Sequence, residues 1–118
     1  METKRLRLEK HENRGDLTNT EVFSVCLKSN ETKVGEISVS ETGEISYNII
    51  EPYAGNGYAT EELIKIVDYS IKIGKEPHLR IRRKNEASKK VATKAGFEFD
   101  SLIEPVRTNT FELWKIKK

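Results

Sequence analysis

The feature that most constrains this chain is a change of hydrophobic period at "EPYAGNGYATEEL", Glu51 to Leu63. Before it, in "GEISYNII", apolar and polar residues alternate as they do in a strand. After it, Ala59, Leu63, Ile66, Val67 and Ile71 fall on one face of a helix running from Gly57 to Ile73. Between the two stand Gly55 and Gly57, with Asn56 in the middle. The chain must leave the sheet there and begin a helix at once. The two glycines give that junction backbone freedom and let another molecule come close to it.

The flanking sequence supplies the remaining elements. "KRLRLEK", Lys4 to Lys10, alternates and predicts a strand, and "HENRGDLTN" is a polar loop. "TEVFSVCLK" predicts a strand with apolar residues on both faces, and Cys26 is expected in its core. "SNET" turns the chain into "KVGEISVS", and "ETG" turns it again into "EISYNII", a three-stranded antiparallel meander. Gly74 closes the first helix as the residue after its cap, and Pro77 prevents continuation. "HLRIR" is a short strand. "NEASKKVATKA" is a second helix, with Asn85 as N-cap and Gly96 at its end. "FEFDSLI" and "TNTFELWKIKK" then form a hairpin. The order is ββββαβαββ, an α+β fold with two main helices on one mostly antiparallel mixed sheet.

A chain of 118 residues supports one core, so residues 1–118 are read as a single domain. No apolar run approaches the ~20 residues that span a bilayer, and "METKRLRLEK" lacks a signal peptide's apolar segment. The single cysteine forms no internal disulfide. A cytoplasmic protein is expected. No His/Cys cluster points to a metal.

The net charge of +2 hides an asymmetry. Lys72 to Lys94 is densely basic, with only Glu76 and Glu86 opposing, whereas Glu21 to Asp68 is acidic on balance. Such a segment suits a phosphorylated ligand or nucleic acid, though a solvated helix face with charged strand ends explains it equally well. The Arg80 to Lys84 cluster has no aromatic platform beside it, which ranks RNA binding low.

A Gly-x-Gly turn that opens a helix can hold phosphate. The first helical turn offers unpaired amides at the positive end of the helix dipole. "GNGYAT" is not a dinucleotide fingerprint, because Thr60 occupies the third glycine position and the preceding strands are joined by hairpins. It lacks the Gly-Lys-Ser/Thr of a Walker loop. A plain structural turn remains the alternative.

Two motifs together carry a resemblance. Pro-x-x-Gly-x-Gly-Tyr-Ala-Thr-Glu, Pro52 to Glu61, is followed by Asn-x-x-Ser, Asn85 to Ser88, and then by "KAGF", Lys94 to Phe97. In these words and their order the chain resembles the GNAT acetyltransferase superfamily. It is most similar to the branch that includes the ribosomal-protein N-acetyltransferases RimJ and RimL. "TKRLRLEK" also looks like that family's first strand. The resemblance implies acetyl-CoA as co-substrate, its pyrophosphate held by backbone amides of Gly55, Asn56, Gly57, Tyr58, Ala59 and Thr60. It implies a bulged fourth strand splayed from the fifth, with the pantetheine arm along Ser46 to Ile50, Ile49 and Ile50 included. Asn85 and Ser88 would lie beside the thioester, and part of the basic stretch near the 3′-phosphate.

The chain also departs from that family. Ala54 stands where Arg, Gln or Trp is usual, and Ala92 where many members carry a tyrosine that protonates the departing thiolate. Ser88 is the nearest replacement donor, and capping is its other reading. Only about ten polar residues, His11 to Thr20, replace the two helices that usually wall the acceptor pocket. The acceptor site is therefore open, or completed by a second subunit in a homodimer, or vestigial.

The implied reaction is direct attack of a neutral primary amine on the thioester, which needs positioning, an oxyanion donor and a base. The amine would belong to a protein terminus, a polyamine or another small acceptor. Glu51, with Glu36 and Glu44, supplies candidate bases, against a plainer reading of each as an exposed strand charge. His11 and His78 have no carboxylate paired with them in sequence, and Tyr47, Tyr53 and Tyr58 are read as packing or cleft wall. A non-catalytic CoA-binding or interaction module with a degenerate form of the same fold is the alternative function.

Overall fold

A computed structural model describes residues 1–11, 19–106 and 109–117. Most of the polar loop expected from His11 to Thr20 and the first residue of the last expected strand, Thr108, lie outside these residues. Four strands form one antiparallel meander: β1 (Leu6–Lys10), β2 (Glu21–Leu27), β3 (Lys33–Val39) and β4 (Ile45–Ile49). Helix α1 (Tyr58–Lys72) follows, then β5 (His78–Arg82), α2 (Glu86–Lys94), β6 (Phe97–Val106) and β7 (Asn109–Ile116). The last three strands form a second antiparallel sheet in the order β5-β7-β6. The predicted element order holds throughout, and the hairpin of the two last strands inserts β7 beside β5.

Alternation decides which side chains enter the core. In β2, Phe23 and Val25 are buried, while Cys26 is only half-buried. The expectation of a core Cys26 fails because its neighbour Val25 takes the inward position.

In α1 the buried residues are Glu62, Leu63, Ile66, Val67 and Ser70. Ile71 is 55% exposed, contrary to expectation. At 100° per residue the stripe through Leu63 and Ile66 continues to Ser70, and Ile71 turns out to water. Ser70 is accommodated because its hydroxyl donates to the Ile66 carbonyl at 2.7 Å. The far end of α1 is tied to β1 and β2 through Glu21, which accepts from the Tyr69 hydroxyl and pairs with Lys10 at 3.0 Å and Lys75 at 3.4 Å.

The two sheets meet at one place. Glu44 and His78 form a single parallel bridge, and from there β4 and β5 diverge. Gly43 permits the contact: its φ is +97°, and a Cβ would lie 2.2 Å from the Glu76 carbonyl oxygen. The expected splay between the fourth and fifth strands is therefore present. The expected bulge is not in β4, whose register against β3 is regular; the shifts fall at Val25/Cys26 and within the β6–β7 pairing. Because Ile50 donates to the Val34 carbonyl, alternation aims the backbone groups of Tyr47 and Ile49 away from β3 and toward the gap. Beyond β4 the chain makes a short 3-10 turn at Glu51–Tyr53, begun by Pro52, before the glycines. Both helices start at the open end of the gap.

Candidate active site

The glycine turn forms an open cradle. Gly55 has φ +84° and Gly57 φ +80°, and nothing lies within 4 Å of where a Cβ on Gly55 would stand. Gly57 occupies the N-cap position in the left-handed conformation, so no side chain caps α1. The amides of residues 55–60 have no acceptor among the described residues. Bare amides, positive φ and free space over Gly55 are what a pyrophosphate requires, so these residues fit acetyl-CoA.

The turn is braced from behind. Glu61 accepts from the Thr3 hydroxyl, from the Arg5 amide at 2.9 Å and from Arg5 Nε at 2.8 Å. Burial works to raise the Glu61 pKa, but these three donors outweigh it and hold the carboxylate below its usual range. The Arg5 guanidinium also stacks 4.5 Å from the centre of the Tyr58 ring. The amino-terminal strand thus positions the first turn of α1.

A cavity of about 320 Å³ opens at this turn. Ile49, Gly55, Gly57, Tyr58, Ala59 and Thr60 line it, as the sequence suggested. Ile50 and Asn56 do not: Ile50 is 43% exposed, and the Asn56 amide donates back to the Tyr53 carbonyl at 3.0 Å. Tyr53, read from sequence as packing or cleft wall, lines it too, and Ala54, Ala87, Val91 and Lys94 complete the wall; sequence reasoning missed Ala87 and Val91. Lys94 brings one member of the basic stretch to the site. Others are engaged elsewhere, Arg80 with Glu44 at 3.6 Å and Lys89 with Glu112 at 3.3 Å.

A second cavity, of about 190 Å³, lies in the gap between β4 and β5, with Tyr47, Arg80, Ile81 and Ser88 in its wall. Asn85 caps α2 by accepting from the Ser88 amide at 3.1 Å. That leaves the Ser88 hydroxyl free of the capping role. Ala92, in the position of the family's tyrosine, is fully buried.

Two buried polar groups have no hydrogen-bond partner among the described residues. The Tyr47 hydroxyl and both carboxylate oxygens of Glu62 are buried without a hydrogen bond. Burial pushes the Glu62 carboxyl up to about 9. Burial also raises the Tyr47 phenol, the adjacent Ser88 hydroxyl lowers it, and Glu62 raises it further. Sequence reasoning missed Glu62. The signal was present, a carboxylate on the apolar stripe between Ala59 and Ile66.

The carboxylates proposed as bases are scattered. Glu51 is exposed at the start of the 3-10 turn and forms no side-chain bond among the described residues. Glu36 lies on the sheet's other face, 3.3 Å from Lys33 and 3.9 Å from His11 Nε2. His11, which also meets the Ser24 hydroxyl, thus has a carboxylate neighbour that the sequence did not reveal. Glu44 pairs with Arg80 at the sheet junction. Among the described residues, no group of three His, Cys, Asp or Glu is placed to hold a metal, and no helix is long and apolar enough to cross a membrane.

An antiparallel sheet split beside two helix starts, with a bare glycine turn at the mouth, is the arrangement that the resemblance to the GNAT superfamily implied. The family model for the acetyltransferase (GNAT) domain matches residues 2–98. The chain belongs to the GNAT acetyltransferase family. Among solved structures it is similar to a GnaT-family acetyltransferase from Bordetella pertussis (15% identity, TM-score 0.77, 99% of this chain and 98% of that one). It is also similar to a chimera of the spermidine N-acetyltransferase SpeG from Vibrio cholerae and hSSAT (14% identity, TM-score 0.80, 96% and 95%). A third is RimL, a ribosomal L7/L12 alpha-N-protein acetyltransferase in complex with coenzyme A (15% identity, TM-score 0.70, 83% and 63%). At these identities the likeness is one of fold. No curated protein sequence matches the chain.

Proposed function

We propose that this protein is an acetyl-CoA-dependent N-acetyltransferase of the RimJ/RimL-like branch that acetylates a primary amine by direct attack on the thioester. The observation that carries this reading is the uncapped first turn of α1 at the mouth of the gap between β4 and β5. The amides of Gly55 to Thr60 would bind the pyrophosphate, with Lys94 near the phosphorylated end. The edge of β4 at Tyr47 and Ile49 would pair with the pantetheine arm. Acetyl-CoA supplies an activated acyl group whose leaving group is a thiolate.

Ser88 is the donor closest to the place where that thiolate would form, and Glu51 takes the amine proton directly or through water. Ten residues separate β1 from β2, too few for the two helices that usually wall the acceptor pocket, and this length suits an extended acceptor, a protein terminus or a polyamine. A second copy of the chain completing that side is the corresponding partner, and a cytoplasmic location fits both. Calorimetric titration with acetyl-CoA, followed by thiol release with a panel of amines, tests the reading. Binding with turnover supports it, and absence of binding at millimolar acetyl-CoA overturns it.

The buried Ala92 favours a second reading, a non-catalytic CoA-binding module, because it removes the hydroxyl other members place there. Binding without turnover on any amine would select it.

A further inference from the structure

Tyr58 walls two cavities. One is the cavity at the glycine turn; the other, of about 490 Å³, is lined by Lys4, Arg5, Leu27, Lys28, Ser29 and Tyr58. It lies where the chain entering β1 meets the turn between β2 and β3, joined by the Lys28 amide donating to the Arg5 carbonyl at 2.9 Å. Its volume falls within the roughly 300–1,000 Å³ of small-ligand sites. Every charged residue in its wall is a cation. The Arg5 guanidinium is already fixed, with Nε donating to Glu61 at 2.8 Å and Cζ 4.5 Å from the centre of the Tyr58 ring. Neither Nη atom donates to an acceptor among the described residues, and Nη2 stands 3.3 Å from where a Cβ on Gly57 would be. Arg5 therefore borders both the cavity and the glycine turn. Lys4 is exposed and has no partner among the described residues. Lys28 donates to the Thr3 carbonyl at 3.1 Å and meets Glu2 at 3.5 Å, which leaves part of its donor capacity open. The carboxylates paired with these cations, Glu61 and Glu2, do not line the cavity.

We propose that this cavity holds the 3′-phosphate of the coenzyme A ribose, with Lys4 and Lys28 as its counter-charges, the Ser29 hydroxyl as a neutral donor and Arg5 shared with the pyrophosphate. This rests on the acetyl-CoA reading above and specifies which cations serve which phosphate. The glycine amides carry only partial charge, Ala54 brings no cation, and Lys94 brings one. A phosphate monoester adds about 1.5 to 2 negative charges at neutral pH. The basic stretch from Lys72 to Lys94 is the counter-charge that the sequence suggests, and the fold spends much of it elsewhere. Arg80 faces Glu44, Lys89 faces Glu112, and among the described residues Lys94 alone brings a cation from that stretch to the cavity at the turn. The start of the chain supplies the remaining charge from the opposite flank of Tyr58, at the same helix start that binds the pyrophosphate.

Calorimetric titration of the full chain with CoA and with 3′-dephospho-CoA, which lacks only that phosphate, tests the site without any turnover. Wild type should bind CoA about tenfold to a hundredfold more tightly than the dephospho form. A Lys4→Gln/Lys28→Gln double variant should bind both alike, at the affinity wild type has for dephospho-CoA. Both lysines are exposed, so its thermal denaturation should stay close to that of wild type. Lys94→Gln should weaken the two ligands by the same factor and keep the preference. Adenosine 3′,5′-bisphosphate, which carries the monoester without the thiol arm, should compete with CoA better than 5′-AMP does. Added salt should shrink the preference, because the cations face solvent.

Equal affinity of wild type for CoA and dephospho-CoA overturns the site, and so does a preference that survives in the double variant. Loss of the preference in Lys94→Gln also overturns it, by moving the 3′-phosphate to the basic stretch. Each of these three results leaves binding of the acetyl donor standing. If wild type binds neither CoA nor dephospho-CoA at millimolar concentration, the acetyltransferase reading fails first and the site with it.

Discussion

The two helices begin side by side and are built in opposite ways. α2 is capped, with the Asn85 side chain accepting from the Ser88 amide. α1 starts on a glycine at φ +80° with no side-chain cap, although it is the longer helix and carries more of the core. A glycine start without a side-chain cap forgoes only about a few tenths of a kcal/mol that a serine or aspartate would supply. The protein recovers rigidity there by another route, through Glu61 and the donors of Thr3 and Arg5, whose hydrogen bonds leave the open amides unbonded. The lesson is that the bare start of α1 is held in place but not filled, whereas the start of α2 is filled and offers only a hydroxyl.

The substitution with the largest expected effect attacks that asymmetry directly. Gly57→Val should weaken acetyl-CoA binding at least about a hundredfold, roughly 2.7 kcal/mol, by filling the cradle and forcing a β-branched residue to positive φ. Arg5 Nη2 already stands 3.3 Å from the new Cβ position. Gly57→Ala is the gentler companion should the valine form fail to fold. Native circular dichroism with unchanged affinity in calorimetry would show that the bare start is only a turn.

At the other helix, Ser88→Ala should leave acetyl-CoA affinity unchanged and reduce turnover between about tenfold and a hundredfold. Steady-state kinetics with a working amine reads the difference. A wild-type rate would make Ser88 an ordinary first-turn residue and leave α2 without a chemical part.

Glu61→Gln probes the brace and should cost about 2 kcal/mol at neutral pH, since it weakens hydrogen bonds to a charged group. Here the folded pKa is depressed. The contribution is therefore present above pH 4.5 and lost as pH falls through the lowered value. Urea denaturation at pH 7 and pH 3 should show wild type and variant converging at the acidic end. Parallel curves at both pH values would mean that Glu61 braces nothing through its charge.

The smallest effect is expected at the cap. Asn85→Ala should cost about 1 kcal/mol in thermal or chemical denaturation, with little change in acetyl-CoA affinity. A large loss of affinity would mean that Asn85 touches the ligand, and the contrast between the two starts would narrow.

The order of elements was legible because each is announced locally. Alternation marks β2 and β3, the glycines at residues 74 and 96 close the helices with positive φ, and Asn85 caps α2 as its position implied. The cradle was legible for the same reason: Gly55 and Gly57 carry their conformational meaning within a few residues of chain. What the sequence could not reveal were relations between distant segments. Cys26 and Ile71 were misplaced because period alone does not say where the edge of a buried stripe falls.

Glu62 shows the boundary between the two kinds of information. The sequence puts a carboxylate on the apolar face of α1, and a salt bridge to a partner elsewhere would be its ordinary explanation. Only the packing of α1 against β1, β3, β4 and α2 buries that carboxylate and leaves it without a hydrogen-bond partner among the described residues. The Glu61 brace, fifty-six residues from Arg5, is likewise invisible until β1 lies beside α1. The chain by itself determined its elements, its turns and its open glycine cradle, because backbone conformation and hydrophobic period are local properties. Which charges are satisfied, and where the sheet splits, were decided by the tertiary structure, because desolvation and ion pairing depend on groups the sequence does not place side by side.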